Sequence, residues 1–188
     1  RHTESWVRSQ FNIVGERTWK ELNGIDCIPI DDMDMVTKKS IITSRSFPHH
    51  LSDLENIRTH VANYASKCAA KLRKQHSVAA VVGVFVDTDH FREDLPQYGM
   101  FRTLCMPTPS ASTITIVDTA MKCLDKVFIR GYQYKKAGVM VMDISPQLPM
   151  QTNFIDYDAE KYSKLKRIDE VMDHINKING TETIVVGA

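Results

Sequence analysis

No two of the four cysteines stand close enough to make a C-x-x-C pair: Cys27, Cys68, Cys105 and Cys123 are dispersed through 188 residues. That spacing argues against a zinc site. Nothing marks the chain as secreted, so reduced thiols in the cytoplasm are expected. No apolar run reaches the roughly 18 residues that a bilayer-spanning helix needs, and no signal peptide is visible, so no membrane partner is expected. Also missing are a Gly-rich phosphate loop, an RNP1-type string and any Ser/His/Asp grouping in a nucleophile context. These absences remove the common signatures of nucleotide hydrolysis, single-strand RNA reading and covalent catalysis. No internal repeat or low-complexity tract occurs.

What is present is an uneven charge behind a formal net of +1. Residues 1–37 hold 4 basic and 7 acidic side chains, residues 38–147 hold 15 and 9, and residues 148–188 hold 5 and 7. A basic middle between mildly acidic flanks points to a polyanionic partner. The stretch 38–47, KKSIITSRSF, carries three cations, four hydroxyl side chains and no acid. Its β-branched Ile41–Ile42–Thr43 run predicts a strand. Small hydroxyls and cations on an exposed strand face suit phosphate oxygens, although Lys and Arg on an edge strand also serve to prevent aggregation.

Residues 1–24 read as a helix in two pieces, with Phe11, Val14, Thr18 and Leu22 on one face and Asn23–Gly24 as the stop. Residues 29–37, with Pro29 and Asp31, Asp32 and Asp34, read as an acidic linker. A strand–helix–strand–strand–helix–strand series follows. The strands are expected at 38–47, 78–86, 99–106 (ended by Pro107 and Pro109) and 132–144. The first helix should begin at a Ser52-x-x-Glu55 capping box. It should bury Leu54, Ile57, Val61, Ala65, Cys68 and Leu72, with Arg58, Lys67, Lys71 and Lys74 opposite. The second, about 113–129, should bury Ile116, Ala120, Cys123, Leu124 and Val127, with Gly131 at the C′ position. This order predicts an α+β fold: a two-layer split-βαβ (βαββαβ) sandwich, with a four-stranded sheet and two helices on one face. The other face stays open, and Arg45, Arg102 and Lys135 or Lys136 are the cations expected to gather there. Residues 148–158 read as an extended linker. A third helix over 161–178 (Leu165, Ile168, Met172 and Ile175 on one face) and a short strand over 181–186 complete a small C-terminal module, 159–188.

Asp87–Thr88–Asp89 has the spacing of a Mg²⁺-binding pair, but without a phosphate loop or partner acids it reads as a solvated loop. His49–His50 after Pro48 read as turn residues. The strand faces show no stacking aromatics, which favours contact with a nucleic-acid backbone over base reading. Gln151–Thr152–Asn153–Phe154–Ile155 pairs a Gln with two apolar residues, a pattern able to enter a partner's pockets.

KKSIITSRSF, YQYKKAGVMVMDISPQ (132–147) and MQTNFID (150–156) together resemble the C-terminal part of UmuC-like Y-family translesion DNA polymerases, the DNA polymerase V subunit. ERTWKELNG (16–24) is similar to the end of that family's thumb, so 1–28 would be thumb-like, 38–147 the little finger, and 151–156 the sliding-clamp motif. Where the family carries Leu–Phe in that motif, this chain has Phe154–Ile155. The resemblance implies a little finger that grips primer–template DNA through its backbone during error-prone synthesis in the SOS response. It implies Lys39, Ser44, Arg45, Ser46, Arg102, Lys135 and Lys136 as DNA contacts, and Gln151, Phe154 and Ile155 as clamp contacts. The family's catalytic carboxylates lie in its palm, upstream of Arg1. The chain is therefore expected to be a piece of a longer protein with no catalytic or metal-binding residue of its own, while the parent would use Mg²⁺. A UmuD-like regulatory subunit and a recombinase filament are further partners that the resemblance implies. The alternative from the residues alone is a protein-interaction domain whose basic face meets an acidic protein; a metal-dependent nuclease using Asp87 and Asp89 is a third class.

Overall fold

A computed structural model describes residues 2–27, 38–147, 159–180 and 183–187. By its contacts the chain divides into two compact units, Arg1–Thr37 and Lys38–Ala188.

The first unit holds helix α1 (Glu4–Leu22). Thr3 caps its start by accepting the Trp6 N–H. At Asn12 the backbone leaves the helical region (φ 61, ψ −167), which gives the two expected pieces. The Asn12 side chain accepts the Val14 N–H and so caps the second piece. Asn23 and a left-handed Gly24 (φ +79) end it. Phe11, Val14 and Leu22 on the expected apolar face are largely exposed.

The second unit runs β1 (Ile41–Leu51), α2 (Leu54–Lys74), β2 (Ser77–Thr88), β3 (Gly99–Ser110), α3 (Thr113–Val127), β4 (Tyr134–Pro146) and α4 (Ala159–Asn179). The sheet order is β1-β4-β2-β3, with every neighbouring pair antiparallel. Each strand–helix–strand crossover thus leaves room for one strand of the other crossover, and the two interlock as a split βαβ pair. Helix α2 lies over β1 and β4, and α3 over β2 and β3. The stripes expected on both helices are buried, with Leu54 at their margin, against Val82, Val84, Val86, Val139 and Val141. Burial of side chains of this size contributes on the order of 1.5–3 kcal/mol each, which makes this layer the main stabilising element.

Several local expectations are corrected. Strand β1 starts three residues later than expected and continues through Pro48–His49–His50, with a register shift between Ser46 and Leu51 that seats Phe47 in the core. Strand β3 likewise runs through Pro107 and Pro109. Both are edge strands, where a proline need not donate to a neighbour. The N-cap of α2 is Asp53, which accepts the Asn56 N–H at 3.1 Å, and Glu55 pairs with Arg58 instead of closing a capping box. Helix α3 stops at Val127 because Phe128 turns to extended backbone, so Gly131 (φ +96) serves the following turn and not the helix end. The short strand expected over 181–186 is absent among residues 183–187. That segment is held to α4: Asn176 Nδ2 donates to the Ile184 carbonyl and Asn176 Oδ1 accepts the Ile184 N–H, both at 2.9 Å. Helix α4 half-buries Leu165, Ile168, Met172 and Ile175, as the periodicity predicts.

One polar knot ties three helices. Ser112, the N-cap of α3, makes no side-chain capping bond. Asp169 of α4 does this work from outside, its carboxylate accepting the Thr113 N–H at 3.0 Å. Arg73 of α2 donates to Asp173 through two nitrogens (2.7 and 2.6 Å), to the Ala111 carbonyl (2.8 Å) and to Thr113 Oγ1 (3.0 Å). Among the described residues no helix is long and apolar enough to cross a membrane.

Candidate nucleic-acid interface

Strand pairing fixes the two faces of the sheet, because residues directly opposite across antiparallel strands share a side. Rows through Ile41–Val141–Val82–Leu104, Thr43–Val139–Val84–Arg102 and Arg45–Ala137–Val86–Met100 lie on the helix side. The alternate rows form the face without helices: Ser46–Lys136–Asp87–Gly99, Ser44–Gly138–Phe85–Phe101 and Ile42–Met140–Gly83–Thr103. This face is open to solvent, with Ile42 52% and Phe101 44% exposed.

The expected cations are thereby separated. Lys136 stands on the open face, while Arg45 and Arg102 are exposed on helix-side rows of the two edge strands. Lys39 precedes β1, and Lys135 is half-buried near Asp89. Ser44 and Ser46 both belong to the open face. The face is not a basic plane but a hydroxyl and apolar surface with cations at its margins. Lys136 sits with its ammonium 5.5 Å from the Phe85 ring centre and opposite Asp87.

Phe85 and Phe101 correct the expectation that the strand faces lack aromatics. Each ring lies over a glycine. A Cβ at Gly83 would meet the Phe101 ring at 2.6 Å, and one at Gly138 would collide with both the Phe85 ring and the Ser44 Cβ. Glycine is therefore required here by close approach of neighbouring side chains, and the result is a low, flat centre. The alternation Val82-Gly83-Val84-Phe85-Val86 was the available signal: three buried valines set the inner side and leave glycine and phenylalanine outside.

The acidic loop after β2 is built otherwise. Asp89 is turned to His50, with Nε2 and Oδ2 3.3 Å apart, and the Phe91 backbone N–H together with His50 holds its carboxyl below the usual range. Asp87 instead lies over Gly99 on the open face. Among the described residues no three His, Cys, Asp or Glu side chains converge on a point, and Asp87 and Asp89 are engaged at different places, so this pair does not fit a Mg²⁺ site. Burial raises the Cys68 thiol and pushes Cys123 up to about 11, which keeps both protonated and inert as nucleophiles. The expected clamp contacts Gln151, Phe154 and Ile155 lie outside the described residues.

Residues 38–154 match the impB/mucB/samB family C-terminal domain. The chain is 36% identical to the protein UmuC of Salmonella typhimurium over 96% of this chain and 42% of that protein. It is 32% identical to SamB of Salmonella typhimurium (94% and 41%) and 28% identical to MucB of Escherichia coli (96% and 42%). It spans about two fifths of the length of these relatives.

Proposed function

Because the chain belongs to the impB/mucB/samB C-terminal domain family, we propose that it is the DNA-gripping, little-finger portion of an error-prone translesion DNA polymerase. The observation that carries the reading is the open sheet face, where Ser44, Ser46, Thr103 and Lys136 surround a flat glycine-centred surface. Hydroxyls and an ammonium donate to phosphate oxygens, and apolar side chains contact sugars, without reading bases. The excess of cations over acids in 38–147 draws the polyanion in from any direction. Lys136, Ser44 and Ser46 are the central contacts in this proposal. Lys39, Arg45, Arg102 and Lys135 reach phosphates at the margins.

In this proposal nucleotide addition and its Mg²⁺ would belong to the parent polymerase. The segment Gln151–Ile155 would tether that parent to a sliding clamp, and the SOS response with its UmuD-like subunit and recombinase filament is the setting that the family suggests. A Lys136→Ala chain should bind duplex DNA more weakly for all sequences alike. Its log K versus log salt slope should be shallower by about one, measured by fluorescence anisotropy. A loss confined to particular sequences would contradict backbone contact.

A further inference from the structure

A groove with a volume of about 710 Å³ runs between α2 and α4, away from the sheet. One wall is a single stripe of α2, on which Ser66, Lys67, Ala70, Lys71 and Lys74 recur at helical spacing. From Asn63 to Lys74 this wall extends about 16 Å, three turns of helix. The other wall is Met172, Asn176 and Lys177 of α4, continued by Ile184 and Val185. The Asn176–Ile184 clasp fixes that last segment, and Val186 packs on the core, so the groove is preformed.

Two properties identify its occupant. The rim is cationic: its one acid, Asp173, is paired with Arg73, Lys71 donates to Thr43 Oγ1 at 3.2 Å, and Lys74 and Lys177 have no acidic partner among the described residues. The floor is apolar, with Ala70, Met172, Ile184 and Val185, of which Val185 is 43% exposed. A nucleic-acid backbone would use the lysines and leave that floor idle. We propose that this groove binds a short acidic amphipathic helix of a partner protein, whose apolar stripe lies on the floor and whose carboxylates meet the lysine rim. This does not depend on the sheet face holding DNA.

The test uses the full chain and a fluorescein-labelled, glutamate-rich peptide of about four helical turns, with leucines at i, i+3, i+4 and i+7 spacing. A scrambled peptide of the same composition is the control. The helical peptide should bind at least about tenfold tighter than the scrambled one. Val185→Lys, at an exposed position, should weaken it about tenfold even though the variant is more basic. A Lys74→Glu/Lys177→Glu chain should lose binding as well, while circular dichroism reports an unchanged fold. Equal affinity for the two peptides, or tighter binding by Val185→Lys, would overturn the proposal. Displacement of the peptide by unlabelled duplex DNA together with tighter DNA binding by Val185→Lys would give the surface to nucleic acid. Self-association abolished by Val185→Lys would give it to a second copy.

Discussion

Replacing Asp169 by alanine should lower the stability of the second unit by about 3 kcal/mol, the largest single effect expected outside the apolar core. The carboxylate is 3% exposed and accepts the Thr113 N–H, the capping bond that Ser112 leaves unmade. Without it, a buried backbone N–H at the start of α3 has no acceptor, and Arg73, 3.4 Å from Asp169, keeps Asp173 as its carboxylate partner. The N–H is the costlier loss, because an unmade buried hydrogen bond leaves the full desolvation penalty standing. Asp169→Asn retains an acceptor oxygen and should recover part of the loss. Asp173, with its side chain 42% exposed, should cost about 1 kcal/mol or less when replaced by alanine. Urea unfolding measures all three, and hydrogen exchange should show α4 losing protection first. A loss below about 1 kcal/mol for Asp169→Ala would mean that α4 is not what caps α3.

A Ser46→Asp/Thr103→Asp chain should bind duplex DNA about tenfold to thirtyfold more weakly at low salt, while its melting temperature stays close to that of the unaltered chain. Both positions are exposed, on β1 and β3 at opposite edges of the open face. Each new carboxylate exchanges a hydroxyl donor for a like charge beside phosphate, and a unit charge at contact distance in water is worth about 1 kcal/mol. The control is Lys122→Asp on the exposed side of α3, which changes the net charge by the same amount from the helix layer. It should weaken binding no more than about twofold, since charges beyond a screening length contribute little. Equal losses in the two variants would show that bulk charge, not this face, attracts DNA.

The periodicities carried most of the architecture. Residues recurring at 3–4 spacing in α2 and α3 could be paired with apolar strands, and the βαββαβ order then left few arrangements. Strand ends were harder to read: Pro48, Pro107 and Pro109 looked like terminators because the sequence does not say which strands lie at an edge. The capping of α2 went to Asp53 instead of Ser52 for a similar reason, since two adjacent good N-cap residues compete and the chain's entry angle decides. The site was legible in part. Ser44, Ser46 and Lys136 share a face; Arg45 falls on the other, as alternation along β1 already requires, and Arg102 does so because it pairs with the inward Val84, which only the strand pairing reveals. The glycine–phenylalanine pairs and the Arg73–Asp169–Thr113 knot arise from contacts between residues distant in sequence, which no local pattern announces.

The measurement that bears most directly on the proposed DNA-holding face is a titration of this chain against primer–template duplexes of unrelated sequence at several salt concentrations. If this face holds DNA by its backbone, log K should fall linearly with log salt, with a slope near −0.9 for each phosphate engaged and nearly equal affinities across sequences. A weak response that does not change with salt would contradict it.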